Sequence, residues 1–98
     1  MTYAISLTLA ARQEVIEAID WYDAQVHGLG ADFEDEADRI IRRIGDNPLQ
    51  FQARRGGMRY AHLRRFPYHL VFITDAQTAF IIACFHSSRD PRLLKRRR

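Results

Sequence analysis

Along the 98 residues, hydrophobic positions recur at every second residue, then at helical spacing, then at every second residue again. Tyr3, Ile5 and Leu7 alternate with Ala4 and Ser6, the spacing of a short strand with one buried face. Thr8 can cap the helix that follows, its hydroxyl accepting from a first-turn amide that lacks a carbonyl partner. In that helix Ala11, Val15, Ala18, Ile19, Tyr22 and Val26 fall on one face, and Glu14, Glu17, Asp20 and Asp23 lie away from its centre. His27-Gly28 stops it, because glycine tolerates the left-handed conformation that follows a helix end. Gly28-Leu29-Gly30 is a turn, and not a phosphate-binding loop: it follows a helix and lacks a third glycine. A second helix turns Phe33, Ala37, Ile40, Ile41 and Ile44 inward. Asp32, Glu34, Asp35 and Glu36 near its start and Arg39, Arg42 and Arg43 near its end match the helix macrodipole. Gly45 and Asn47-Pro48 end it.

After a loop over Leu49–Gly57 the period returns to two. Met58–Leu63, Leu70–Thr74 and Ala79–Phe85 read as three strands, the last two joined by Asp75-Ala76-Gln77-Thr78 in a hairpin. Phe66-Pro67-Tyr68 marks the corner between the first two, where proline limits ladder pairing. Strict alternation in the last strand sets Phe80, Ile82, Cys84 and His86 on one face and Ile81, Ala83 and Phe85 on the other. Both faces are apolar, so both need a cover. The helical hairpin covers one. Either a short helix starting at Asp90-Pro91 or a partner chain covers the other. The fold class is α+β, β-α-α-β-β-β(-α), a helical hairpin on one face of a small antiparallel sheet. Residues 1–98 form one domain, with 92–98 a basic C-terminal segment.

Composition changes the picture mainly through charge. The 47% hydrophobic content excludes a disordered chain. The single cysteine, Cys84, sits in an apolar run where it has no disulfide partner and no polar motif to activate it, and reads as core. The longest apolar run, Ala79–Phe85, is too short to span a bilayer, and no basic region followed by an apolar core opens the chain. A cytoplasmic location away from membranes is expected. The net charge of +3 is unevenly distributed: residues 1–46 carry four Lys/Arg against ten Asp/Glu, residues 47–98 eleven against two. The acidic helices read as solvated outer faces rather than paired carboxylates of an acid/base site. The basic half points to a polyanionic or acidic partner, with Arg59, Arg64, Arg65, His86 and Arg89 at strand ends as a cluster of cations around one histidine.

Taken in order, the opening strand with Ala10-Ala11, Trp21-Tyr22, Gly28-Leu29-Gly30 with Phe33, the exit at Asn47-Pro48, Met58-Arg59, Phe66-Pro67-Tyr68 and His86-Ser87-Ser88-Arg89-Asp90-Pro91 resemble the RelE/ParE superfamily of toxins from bacterial type II toxin–antitoxin modules. The resemblance covers nearly the whole chain and is nearest to the ParE-like, plasmid-stabilisation branch. It implies two helices packed on an antiparallel sheet, growth inhibition, and neutralisation by a cognate antitoxin whose tail wraps the toxin, which would account for an apolar second face and a basic surface. ParE-like members poison DNA gyrase. RelE-like members cleave mRNA on the ribosome without metal, using basic residues and often a C-terminal aromatic. No Tyr, Phe or Trp follows His86, and the ParE-like expectation is therefore preferred. A non-toxic binding module that keeps only the fold is a third possibility.

The alternative chemistry has definite requirements. Cleaving RNA needs a base for the 2′-hydroxyl, cations for the charge on phosphorus-bound oxygens, and an acid for the leaving oxygen. His86 suits acid/base work, and Arg59, Arg65 and Arg89 can clamp phosphate bidentately. By resemblance, RelE-like members carry arginines near 59 and 65, and some nucleolytic relatives keep a histidine where His86 stands. A strand-end histidine hydrogen-bonded to the following turn is the structural alternative for His86, and a helix cap with a local ion pair is that for Asp90. Arg54, Arg55, Arg64, Arg89, Arg92 and Lys95 are the candidates for target binding, and the run Lys95–Arg98 is either a solvated tail or a nucleic-acid contact. His62 and His69 have no acidic or cysteine neighbours at ligand spacing, so neither metal nor cofactor is expected. His27 reads as a helix-end surface residue, and Trp21 and Tyr22 as packing.

Overall fold

A computed structural model describes residues 2–97, so that Met1 and Arg98, the last residue of the predicted basic run, lie outside the described residues. The elements are β1 (Ala4–Leu7), α1 (Leu9–Gln25), α2 (Leu29–Asp46), β2 (Arg59–His62), β3 (Tyr68–Thr74) and β4 (Thr78–His86). Single 3-10 turns occupy Pro48–Gln50 and Arg55–Gly57, and a longer 3-10 segment, Pro91–Arg97, follows β4. The strand order is β1-β4-β3-β2. The last three strands form the expected antiparallel meander, and β1 lies parallel to β4, which makes the sheet mixed.

The helices pack on one face of this sheet. Ala11 and Ala18 of α1 and Phe33, Ala37, Ile40 and Ile44 of α2 meet Leu70, Phe72, Ile81 and Cys84 in one buried cluster. Tyr22 stacks on Phe33 at 5.5 Å between ring centroids and meets Phe66 edge-on at 4.8 Å, closing the layer at one end. The Thr8 hydroxyl accepts from the Ala11 amide at 3.1 Å, the cap expected for α1. The helix exit differs from expectation. α1 ends at Gln25, which leaves Val26 exposed rather than inward, and Gly28 (φ +93°) is the N-cap of α2. Leu29 and Gly30 are therefore helical. Asp23 of α1 reaches across to accept from the amides of Gly28 (2.9 Å) and Gly30 (3.3 Å), supplying the cap that glycine cannot. A Cβ on Gly30 would lie 2.6 Å from the Ile19 carbonyl oxygen, so the two helices can cross here only over a glycine.

A second departure lies in β4. The pairing steps from Val71↔Ala83 to Phe72↔Ile81, which leaves Ile82 as an extra residue, a β-bulge. Beyond it the faces exchange. Ala79, Ile81 and Cys84 point to the helices, whereas Phe80, Ile82, Ala83 and Phe85 point to the opposite face, correcting the strict alternation. That opposite face is covered in part by Pro91–Arg97, whose Leu94 is fully buried among Tyr60, Val71, Ile82, Ala83 and Phe85. The cover is thus the chain's own segment, in 3-10 form rather than the expected α-helix. Met58, Ile73 and Phe80 on the same face remain half-buried.

The bulge also marks where β1 stops. Its last residue, Leu7, pairs with Ile81, so β4 beyond Ile82 has no strand on that side. Side chains take the strand's place. The Ile82 carbonyl accepts from the Thr8 hydroxyl (3.4 Å) and from Arg97 Nη1 (3.2 Å), and the Cys84 amide donates to Glu14 Oε1 (3.0 Å). Arg97 grips Glu14 with both terminal nitrogens (2.7 and 2.8 Å), and Arg89 adds a third cationic bond at 3.0 Å. Glu14, expected on a solvated helix face, is in fact only 11% exposed and joins α1, β4 and the C-terminal segment.

Removing that carboxylate leaves a buried amide and a clamped guanidinium without partners. Glu14→Ala is expected to lower stability by about 2–3 kcal/mol, seen as a lower urea midpoint with faster hydrogen exchange at Cys84. A loss under about 0.5 kcal/mol, the range of ordinary surface changes, would contradict this account.

His69 of β3 makes a second, pH-dependent prediction. It is 7% exposed, and its Nδ1 finds no hydrogen-bond partner among the described residues. Burial, with His62, Arg54 and His86 nearby, pushes its pKa down to about 4 from the ordinary 6.5. Between those values the unfolded chain binds a proton that the folded chain refuses, so this stability is complete above about pH 6.5 and drains away as pH falls towards 4. The slope approaches about 1.4 kcal/mol per pH unit. Urea midpoints compared at pH 5 and pH 7 should differ less in His69→Phe than in the parent. An unchanged difference would show that other groups carry the acid sensitivity.

Candidate functional site

Of the cations expected around His86, the strand register sets Arg59 apart. β2 separates two groups of arginines: Arg54 and Arg55 precede it, and Arg64 and Arg65 follow it in the loop to β3. A third group, Arg89, Arg92, Lys95 and Arg97, belongs to the segment after β4. Arg59 pairs with Phe72 and His86 with Tyr68, four residues apart along β3. That is about 13 Å at strand spacing, with β3 lying between them. Arg59 is also engaged locally, donating from its guanidinium to the Phe51 carbonyl. It cannot share a phosphate with His86 in this arrangement.

His86 sits at the end of β4 with its ring edge-on to Tyr68, 5.2 Å between centroids. Its Nδ1 accepts from the Ser88 amide at 3.0 Å and lies 2.8 Å from the Ser88 hydroxyl. With Nδ1 accepting, a neutral ring carries its proton on Nε2. The imidazole is the hydrogen-bonded strand-end group of the structural alternative, and its free nitrogen in this tautomer is a donor, not a base.

Arg64 and Arg65 are shaped by a carboxylate whose place was not foreseen. Glu36, expected on the solvated face of α2, is 4% exposed and accepts from the backbone amides of both Arg64 and Arg65. Two successive amides turned inward send the two side chains outward. Arg39, one turn along α2, approaches Glu36 at 3.9 Å, and Arg65 pairs with Asp32 at 3.4 Å. Arg39, Arg64 and Arg65 line a shallow cleft of about 460 Å³. Arg39 comes from the acidic half of the sequence and was not among the expected site residues; only its position one turn after Glu36 links it to the loop.

The remaining candidates divide between structural and free roles. Arg54 lies 4.2 Å over the Tyr60 ring, a cation–π contact. Arg89 lies 4.3 Å and Arg97 4.9 Å from the Phe85 ring, and both hold Glu14, so Arg89 is tied into the fold. Asp90 accepts from the Arg92 amide (2.9 Å) and its guanidinium, holding the Asp90 carboxyl below its usual range. The local cap and ion pair are as expected, with Arg92 as the partner. Arg55 and Lys95 are exposed. Burial and the neighbouring Glu14 push the Cys84 thiol up to about 12, so it behaves as core. Tyr22 packs as expected, whereas Trp21 is 57% exposed and touches it only edge-on. His27 is a surface residue at the helix end. Among the described residues no three His, Cys, Asp or Glu side chains gather as a metal site requires, and no helix is long and apolar enough to cross a membrane.

No protein-family model matches this sequence, and no curated protein matches it. Among solved structures, the chain is similar to one from the "Chromosomal ParDE TA system from P. aeruginosa", at 15% identity and a TM-score of 0.77. The superposition covers 87% of this chain and 96% of the other. The α+β architecture implied by the RelE/ParE resemblance is therefore the fold this chain has.

Proposed function

We propose that this chain is the toxin of a toxin–antitoxin pair, that it arrests bacterial growth in the ParE-like manner through DNA gyrase, and that a cognate antitoxin neutralises it in the cytoplasm. The observation that carries the proposal is the likeness of fold along nearly the full length of both chains to a component of a ParDE system. A shared fold leaves the target open, because one scaffold hosts several activities. The site geometry supports gyrase over RNA cleavage. His86 spends its acceptor nitrogen on Ser88, and Arg59 is held at Phe51, far along the sheet. The triad that would run RNA cleavage is thus not gathered around one phosphate. On this reading Arg55, Arg64, Arg92 and Lys95, which are exposed, serve target contact.

Inducing the chain alone in bacteria, with pulse-labelled DNA and protein synthesis followed for minutes, tests this. DNA synthesis should fail first, with a damage response, and His86→Ala should arrest growth as well as the parent does. Arg92→Ala combined with Lys95→Ala should weaken the arrest by about tenfold in the inducer needed, the effect of losing roughly 1.4 kcal/mol of binding. Protein synthesis failing first, with growth arrest abolished by His86→Ala and by Arg65→Ala, would instead favour mRNA cleavage and overturn the gyrase assignment.

A further inference from the structure

On the sheet face opposite the helices, four side chains of β2, β3 and the preceding loop meet without a counter-charge. His62 and His69 are direct cross-strand partners with ring centroids 5.3 Å apart. Tyr60 lies 4.9 Å from His69, and the Arg54 guanidinium covers the Tyr60 ring at 4.2 Å. None of Arg54, His62 and His69 pairs with a carboxylate among the described residues. His69 is nine-tenths buried with an unpartnered Nδ1, a state that a native core rarely leaves without a purpose. Arg65, Arg89, Arg92 and Arg97 meet carboxylates at Asp32, Glu14 and Asp90, whereas no carboxylate reaches this group among the described residues.

We infer that Arg54, Tyr60, His62 and His69 form a seat for a carboxylate carried on an acidic, partly apolar segment of a partner protein. Charge complementarity selects the anion, and the surroundings select a peptide over a nucleic-acid backbone. The same face continues into Met58, Ile73 and Phe80, which are apolar and only half-buried. Ile73 and His69 are four residues apart on β3, about 13 Å. An occupant that fills both places carries an apolar residue and a carboxylate four residues apart if extended, or about nine apart if helical. This seat rests on the reading above that a partner neutralises the chain, and it names the chemistry by which that partner holds on.

The full chain and two synthetic peptides test it. One is extended, with Leu and Glu four positions apart between threonines and valines; the other replaces Glu by Gln. Imidazole resonances of His62 and His69 are followed by NMR during titration, with a twelve-residue oligothymidylate as the nucleic-acid probe. The Glu peptide should shift both imidazoles and bind roughly tenfold tighter than the Gln peptide, as expected for a charge-assisted bond. Arg54→Ala and His62→Ala, both surface changes, should each remove most of that difference without moving Tm. The groups facing His69 are Tyr60 and His62 of β2, Phe85 and His86 of β4, and Arg54, none of them acidic. A bound carboxylate therefore favours the imidazolium, and binding should be tighter at pH 6 than at pH 8. Equal binding of the two peptides, imidazole shifts caused only by the oligothymidylate, or no shift at millimolar peptide would each overturn the seat. Growth arrest that survives such a failure leaves the toxin reading standing, whereas carboxylate binding without growth arrest removes the toxin and keeps the seat.

Discussion

The structure depends on how β4 satisfies its backbone where β1 gives out. Central strands are hydrogen-bonded on both sides, but β1 is four residues long and β4 nine, so half of β4 would present a bare edge inside the protein. Unpaired buried amides and carbonyls are too costly to leave in place. Glu14 and Arg97 supply the missing partners, one accepting from the Cys84 amide and the other donating to the Ile82 carbonyl, and they hold each other by two short bonds. A sheet edge, the helix that crosses it and the segment that covers its far face are thereby made one unit. The bulge at Ile82 falls at the same point, turning Cys84 to the helices and Phe85 to the segment that Arg97 anchors.

The same logic explains the charge asymmetry. An acidic first half and a basic second half suggest two surfaces of opposite sign, but folding brings much of one against the other. Glu14 takes Arg89 and Arg97, Asp32 takes Arg65, and Glu36 holds the loop that carries Arg64 and Arg65 by its amides. Arg65, Arg89 and Arg97 are thus counterparts to the helices. The exposed cations of the basic half without a carboxylate partner among the described residues, at Arg54, Arg55, Arg64 and Lys95, are where an external anion has something to gain.

Element order, helix faces and the meander were legible because periodicity reports directly on which residues share a face. The Thr8 cap and the Asp75 turn, where the carboxylate accepts from the amides of Gln77 and Thr78, were legible for a similarly local reason. What escaped depended on contacts between distant elements. A bulge leaves no mark on an apolar run such as Phe80–Phe85, since both faces accept the same residues. Gly28 looked like a helix end because its αL conformation serves either side of a tight turn. Glu36 was the readable miss: it stands three residues after Phe33 and four before Ile40, on the buried stripe, and a carboxylate there demands partners. Glu14, three after Ala11 and four before Ala18, sits in the same relation to the stripe of α1. The site was less legible than the fold. Strand-end position gathers residues along the sequence, but register sets Arg59 and His86 far apart along β3.

On the proposed reading, a histidine hydrogen-bonded into a turn and an Arg59 held far along the sheet serve binding rather than RNA cleavage. The central functional claim is that the chain acts by engaging DNA gyrase. Purified chain incubated with gyrase, supercoiled DNA and ATP tests it most directly, with detergent added to trap broken DNA. The account predicts inhibited supercoiling and an accumulation of cleaved DNA bound to the enzyme. Normal supercoiling and no cleaved DNA, under conditions where the same preparation cuts mRNA on ribosomes, would contradict it.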